Sequence, residues 1–380
     1  MSPVTTHARE FTSTTPVLHL AFELADLRWK LAFTPGLGQR PRVRTVPARD
    51  LDAVRQEITR ALARFGLPAT TPVVSCYEAG RDGFWLHRAL TALGIANQIV
   101  DSASIEINRR LRRAKADRLD AEKLVLMLGR ATQGDPRVWR VVRVPSEADE
   151  AARQLSRELD AVTHDRTQVL NRMHGLLTTE GVHLALTGDV PAALPALRRW
   201  DGTPLPAELL ARLARDWRQV EALTARRAAL QAQRRRDVTT GTTPAHAQMR
   251  QLAQLSAVGM ATATVLVREF FGWRAFRNRR QVGGCAGLTA TPFQTGGTHH
   301  EQGISKAGNR RVRTVMIELA WGWLRYQPQS ELSAWYQAYV GTGGPRHRRV
   351  GIVALARKLL IALWRYLETG TVPAGARLKA

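Results

Sequence analysis

The residues best suited to chemistry stand together at Lys115-Ala116-Asp117-Arg118-Leu119-Asp120. The apolar positions that follow, Ala121, Leu124, Val125 and Leu128, recur at helical spacing, so the hexapeptide reads as a helix start. Two aspartates three apart point from one helix face. Carboxylate oxygens suit a hard cation such as Mg²⁺, which uses few protein carboxylates and keeps positions open for phosphate oxygens. An acidic first turn also complements the helix dipole with no metal at all, and six residues alone leave both readings open. Two further acids close apolar runs: Glu23 ends Val17 to Glu23, and Glu78 ends Pro72 to Glu78. Sites in α/β sheets gather at the carboxyl ends of strands. If Glu23, Glu78, Asp117 and Asp120 converge there, they form a two-metal site for phosphodiester chemistry, with ions roughly 3.5–4 Å apart.

The elements that must position these acids follow from the hydrophobic pattern. Val17 to Glu23 and Trp29 to Phe33 read as a strand pair with a turn near Ala25-Asp26, and Arg42 to Val46 as a third strand. Asp50 or Asp52 caps a helix running to about Phe65. A buried strand over Pro72 to Glu78, a helix over Gly83 to Leu93 and a strand over Ala96 to Val100 lead to the Asp117/Asp120 helix. A meander feeding alternating strands and helices predicts an α/β domain.

Beyond Ser146 the pattern is helical. Leu155, Leu159, Val162, Val169, Met173 and Leu176 form a heptad-like seam, and Leu213, Val220, Leu223 and Leu230 mark a second long helix from Pro206 to Arg236. With a Gly/Pro-interrupted segment between them, they read as an antiparallel coiled coil or an ordinary helical pair. Asp237 to Pro244 reads as a Thr/Gly-rich linker. Leu252 to Ala263, with Gly259 at its turn, reads as a helix-hairpin-helix whose backbone amides hold a phosphate, or as a plain helical hairpin.

Two later stretches, Gly283 to Gly297 and Gly303 to Arg313, combine hydroxyl groups, glycines and cations. A hydroxyl nucleophile needs an activating base or metal. Lys306, Arg310, Arg311 and Arg313 are placed to neutralise phosphates or to form a solvated helix face. His299-His300 lacks partners at ligand spacing, and Trp321, Trp323 and Trp364 read as core.

The 380 residues suffice for two or three domains, and 44% hydrophobic content provides a sizeable core. A formal net charge of +24 points to a polyanionic partner, nucleic acid before membrane surface. The absence of an 18-residue apolar run predicts no membrane-spanning helix. The polar start, Met1 to Pro16, gives no expectation of secretion. Cys76 and Cys285, far apart, make neither a disulfide framework nor a zinc site and fit a reducing, cytoplasmic setting.

With these residues assembled, the chain resembles the DEDD insertion-sequence transposases, the IS one-ten family of bridge-RNA-guided recombinases. The resemblance spans nearly the whole chain. It rests on Tyr77-Glu78, Lys115 to Ala121, Gly287-Leu288-Thr289, Thr295-Gly296-Gly297, and Ile304-Ser305-Lys306-Ala307-Gly308-Asn309. It implies an α/β plus α architecture: a RuvC-like, RNase H-type domain over 1–145, a coiled-coil arm over 146–236, and a mainly helical transposase domain over 237–380. It further implies homodimers or homotetramers, donor and target DNA, a noncoding guide RNA that pairs with both, and a bacterial, nucleoid-associated location.

Carried onto this sequence, the resemblance makes Glu23, Glu78, Asp117 and Asp120 the ligands of Mg²⁺ (or Mn²⁺). The family has Asp at the first position. Here that place falls to Glu23, one methylene longer, with Asp26 as the alternative. The family's serine nucleophile, which forms a covalent phospho-serine, is replaced by Thr295 before Gly296. The added methyl crowds attack and limits χ1, and Ser305 is the alternative hydroxyl. Nucleic-acid contacts fall to Arg112, Arg113, Lys115, Gly259, Lys306, Asn309, Arg310, Arg311 and Arg313. Two rivals need less: a RuvC-like nuclease using water requires only the acids, and a binding protein that has lost catalysis requires neither acids nor Thr295. No Gly-rich phosphate loop is present to support an ATPase.

Overall fold

Alternation of buried residues sets the first sheet. β1 (Leu18–Leu24), β2 (Arg28–Thr34) and β3 (Arg42–Pro47) form an antiparallel meander, followed by α1 (Leu51–Arg64). The Asp50 side chain caps α1 by accepting from the Ala53 N–H at 2.9 Å. β4 (Val73–Glu78), α2 (Trp85–Ala92), β5 (Ala96–Val100) and α3 (Asp117–Thr132) complete this part. The strand order is β3-β2-β1-β4-β5, with β4 parallel to both of its neighbours. The computed structural model describes residues 16–105, 117–295, 298–341 and 343–379. The chain divides into two units, Met1–Val144 and Pro145–Ala380.

Strand side chains alternate between two cores. Leu18, Leu20, Phe22, Trp29 and Tyr77 pack with Val54, Ile58, Leu86 and Leu90 of α1 and α2. Ala21, Ala32, Val74, Cys76 and Val100 pack on the other face with Ala121, Leu124, Val125 and Leu128 of α3. The apolar stripe that marked α3 in the sequence is therefore the surface that docks it. Its direction is fixed by contacts: His19, near the start of β1, meets Thr132 at the end of α3 (Nε2 to Oγ1, 2.9 Å), while the Cys76 thiol reaches the Leu124 carbonyl at 4.0 Å. The helix thus runs opposite to β1, and its N-terminus lies toward the carboxyl ends of β1 and β4.

The second unit opens with α4 (Glu147–Ala151) and α5 (Gln154–Thr179). The expected single helix from Ser146 is thus two, and its seam ends on Leu177 in place of Leu176. The short α6 (Val190–Ala193) precedes α7 (Ala207–Thr240), which runs antiparallel to α5. Arg226 pairs with Glu158 at 2.6 Å, Arg166 Nε donates to Thr224 at 2.8 Å, and Arg172 pairs with Asp216 at 2.8 Å. The expected linker at Asp237 is shorter than the sequence suggested. Helix α7 continues through Thr240, because Val238 is buried in the core of the following helices and Asp237 meets His246 and Arg268.

That core is built by α8 (Pro244–Ala253), α9 (Met260–Leu266) with a π-helical continuation (Val267–Phe271), α10 (Arg279–Cys285), a hairpin of β6 (Ala290–Thr295) and β7 (Thr298–Ile304), α11 (Arg310–Tyr326), α12 (Glu331–Val340) and α13 (Pro345–Thr369). Trp323 is fully buried and Trp364 partly so, but Trp321 is exposed, because it lies on the outer face of α11. No helix among the described residues is long and apolar enough to cross a membrane.

Leu128 is fully buried on the only apolar face that holds α3 to the sheet. Leu128→Ala is expected to lower the unfolding free energy by about 2–5 kcal/mol, read as a lower urea midpoint. An unchanged midpoint would show that this face does not hold the helix.

Candidate active site

Parallel pairing of β1 with β4 places Phe22 opposite Tyr77, so the next residues, Glu23 and Glu78, stand side by side where the strands end. Both share a parity with Ala21 and Cys76 and therefore face the side covered by α3. Burial pushes the Cys76 thiol well up, and the nearby Glu78 charge adds to the effect. Glu78 is exposed and Glu23 half-buried, level with Lys30 of β2. Both line a cleft of about 420 Å³ together with Asp26 and Asp82. The Tyr77 hydroxyl, on the opposite face, donates to the Gly83 carbonyl at 3.1 Å and ties down the loop that forms one wall.

Asp26, the alternative first ligand, lines the same cleft, where Arg49 and Arg81 both approach its Oδ1 at 3.4 Å. Asp120 is half-buried one residue before the docked Ala121. From Thr132 back to Asp120 the helix rises about 18 Å, and β1 advances about 13 Å from His19 to Glu23. The start of α3 therefore reaches past the level of Glu23. The Asp117 side chain lies outside the described ones. Among the described residues, no three His, Cys, Asp or Glu side chains are grouped closely enough to hold a metal ion. Arg112, Arg113 and Lys115 fall outside the described residues.

In the second unit the two glycine-containing motifs turn out to be one structure. The N–H groups of Ser305, Lys306 and Asn309 donate to the carbonyls of Thr289 (2.8 Å), Gly287 (3.2 Å) and Cys285 (3.1 Å). Gly287 (φ +68°) and Gly308 (φ +93°) are required here, since a Cβ would overlap the carbonyl oxygens of Ala307 and Cys285 respectively. Lys306 itself adopts φ +54°. This interlock closes the base of the β6–β7 hairpin. Thr295 pairs with Thr298 at the far end of that hairpin, and its side chain lies outside the described ones. Ser305 sits at the base, exposed. Gly259 is the N-terminal cap residue of α9.

A profile for the Transposase IS116/IS110/IS902 family matches residues 249–336. Over 95% of its length the chain is 40% identical to "Putative transposase y4rJ" of Sinorhizobium fredii, covering 94% of that protein. The chain belongs to this transposase family. It is also 27% identical over 83% of its length to "Probable family 20 transposase" of Pseudomonas aeruginosa, covering 90% of that protein. With "Transposase for insertion sequence element IS1328" of Yersinia enterocolitica it shares 22% identity over 84% of its length, covering 91% of that protein. Membership makes DNA the substrate and transposition the reaction class.

Within the matched segment the transposase holds a charge that the sequence reading passed over. Glu269, 1% exposed, lies in the π-helical stretch after α9. Arg157 of α5 donates to both of its oxygens (2.9 and 3.1 Å), Arg311 to Oε1 (2.7 Å), and Asn309 Nδ2 to Oε2 (3.3 Å). Arg311 also meets Asp160 at 2.5 Å and the Ser156 carbonyl at 3.1 Å. Burial works to raise the Glu269 pKa, but the hydrogen bonds and charge of Arg157, the charge of Arg311 and the Asn309 hydrogen bond outweigh it, leaving the carboxyl below its ordinary range. Asn309 additionally caps α11, accepting from the Arg311 and Val312 N–H groups. Of the residues expected to meet phosphate, Arg311 and Asn309 are thus engaged inside the protein. Arg313 donates to the Ala286 and Lys306 carbonyls, while Lys306 and Arg310 remain exposed. A Glu close between an aliphatic run (Val265 to Val267) and an aromatic one (Phe270 to Trp273) was the available signal for Glu269, but its partners are 40 and more residues away.

Removing one partner of a buried ion pair leaves the others uncompensated. Glu269→Gln is expected to cost about 3 kcal/mol. Because the folded-state pKa is depressed, that contribution is full above the ordinary glutamate range and is lost as pH falls through the folded value. Wild type and variant should therefore converge in melting temperature on acidification. Parallel pH–melting curves would sink this assignment.

Proposed function

We propose that this transposase cuts and rejoins DNA strands under the guidance of a noncoding bridge RNA, using an acidic tetrad in the first unit and the Thr295 hydroxyl in the second. The observation that carries the reading is the β1–β4 register, which sets Glu23 and Glu78 side by side on one cleft with α3 docked over that face. The order β3-β2-β1-β4-β5, a meander joined to two parallel strands, supports a RuvC-like, RNase H-type reading of residues 1–145. The antiparallel pair α5 and α7 supports a coiled-coil arm over 146–236, with 237–380 as the strand-transfer domain. Homodimers or homotetramers, with the two domains of different subunits sharing a site, complete the proposal, acting on cytoplasmic, nucleoid-associated DNA.

The donor set fits a hard cation: it is oxygen only, and Mg²⁺ asks few carboxylates of a protein. Glu23, Glu78, Asp117 and Asp120 would hold Mg²⁺ (or Mn²⁺), which when bound polarises the phosphate under attack. Glu23 is favoured over Asp26 because the β1–β4 register sets it beside Glu78. Thr295 Oγ attacks phosphorus and gives up its proton. One P–O ester bond breaks, and the departing deoxyribose oxygen takes up a proton. A hydroxyl end from a second strand then reverses the step, releasing the threonine. Lys306 and Arg310, exposed beside the hairpin base, face phosphate, and Gly259 presents the backbone at the α8–α9 turn.

The test is a recombination assay with the element's own flanking RNA and DNA, comparing wild type with Thr295→Ala, Ser305→Ala and Asp120→Ala, with denaturing gels to trap protein–DNA adducts. Thr295→Ala and Asp120→Ala are expected to lower product at least 100-fold, with the adduct absent from Thr295→Ala. Cleavage that survives Thr295→Ala with no adduct, yet is lost in Asp120→Ala, would replace this reading with a water-using nuclease. RNA and DNA binding with no cleavage in wild type would leave a binding protein.

A further inference from the structure

A groove of the second unit, about 1480 Å³, lies between the base of the β6–β7 hairpin, α10, α12 and α13. Eight basic side chains line it against one acid, Glu331. Helix α13 explains the asymmetry. One stripe, Ile352, Leu355, Leu359, Leu360 and Leu363, is buried in the core. The opposite stripe carries Arg346, Arg349, Arg357 and Arg365, separated by Val350, Val353 and Ile361, along the groove. Arg346, Arg349 and Arg365 are exposed, and no acidic side chain among the described residues pairs with them. Trp335 stands on the α12 wall with Lys358 Nζ 4.5 Å from its ring centroid, stacked on Tyr339, which stacks in turn on His347.

An apolar floor with a cationic rim suits a chain that has a charged backbone and flat uncharged faces. Like charges gathered around one concave surface repel one another and focus a positive field that attracts a polyanion. The groove is also continuous with the hairpin: Ala290, Gly303, Ile304 and Lys306, at its base, are part of the lining. We propose that this groove is the track along which the DNA strand lies as it reaches the β6–β7 hairpin, with α13 supplying its phosphate contacts. The inference rests on reading the second unit as the strand-transfer unit. From Arg346 to Arg365 the helix spans about 28 Å, the length of about eight nucleotides at roughly 3.4 Å each along one strand. Phosphates meet Arg346, Arg349 and Arg365, while Trp335 and Tyr339 give the sugar–base side an apolar wall.

The test uses the full chain and a labelled single-stranded DNA carrying the element's end, with affinity followed by anisotropy across a salt series. The triple variant Arg346→Gln/Arg349→Gln/Arg365→Gln is expected to bind at least tenfold more weakly near physiological salt, with the slope of log K against log salt reduced by about 2–3. Arg212→Gln/Arg215→Gln/Arg218→Gln, which removes the same charge from exposed positions on α7, should lose no more than about twofold. Arg346→Lys/Arg349→Lys/Arg365→Lys should stay within about threefold of wild type, which guards against misfolding as the cause. A groove variant that binds like wild type, or no worse than the α7 variant, overturns the proposal. So does a loss confined to the guide RNA with DNA affinity intact. If groove-dependent binding persists while wild type forms no adduct, the track stands and the strand-transfer reading falls.

Discussion

Parallel pairing between β1 and β4 is the constraint on which the first unit's acidic cleft depends. It fixes two acids at one level on one face, and α3 can cover that face only because Ala21, Cys76 and Val74 offer it a shallow apolar surface. A one-residue slip of β4 would send Glu78 to the α1/α2 side and Tyr77 to the α3 side. Two contacts resist that slip. Tyr77 is fully buried, with its hydroxyl bonded to Gly83, and the Cys76 thiol reaches the Leu124 carbonyl from the other face. Carboxylates brought this close repel one another, so their positions depend on the rigid packing behind them.

The second unit solves a different problem. It must hold a two-stranded hairpin, marginal on its own, at a defined place. The hairpin base is closed by backbone hydrogen bonds between Cys285–Thr289 and Ser305–Asn309, at positions where only glycine fits. Asn309 then links that closure to Glu269, which also receives Arg157 from α5 and Arg311 from α11. A single buried carboxylate therefore joins the helical arm, the π-helical stretch and the hairpin base. Such a network costs desolvation, and its net contribution to stability is modest. What it adds is definition, since Arg157, Arg311 and Asn309 must all be placed around one carboxylate.

Much of the fold was legible in local pattern. The meander, α1 with its Asp50 cap, β4, β5 and the docked stripe of α3 all follow from period-two and period-3.6 alternation, because each element buries one face. The antiparallel pairing of α5 with α7 followed from their matching apolar seams. Less legible were the places where long-range packing overrode local composition. Thr239-Thr240 looked like linker but sits in a helix, held by the burial of Val238 next to it. The cation run Arg310-Arg311-Arg313 looked like one solvated surface, yet Arg311 points inward to a carboxylate 42 residues away in sequence.

By itself, the amino-acid sequence determined which residue types were available: four acids at strand and helix ends, a threonine beside paired glycines, two glycine-bearing motifs and a large excess of arginine. It also determined the family, since identity extends along nearly the whole chain. Only the tertiary structure decided how these are used. It set Glu23 and Glu78 side by side on a cleft that Asp26 and Asp82 also line. It joined the Gly287 and Gly308 motifs into one closure, and it separated the arginines that serve Glu269 from those that line the α13 groove. The physical reason is that a charge's role depends on what desolvates it and what pairs with it. Both are set by residues distant in the chain, which local spacing does not report.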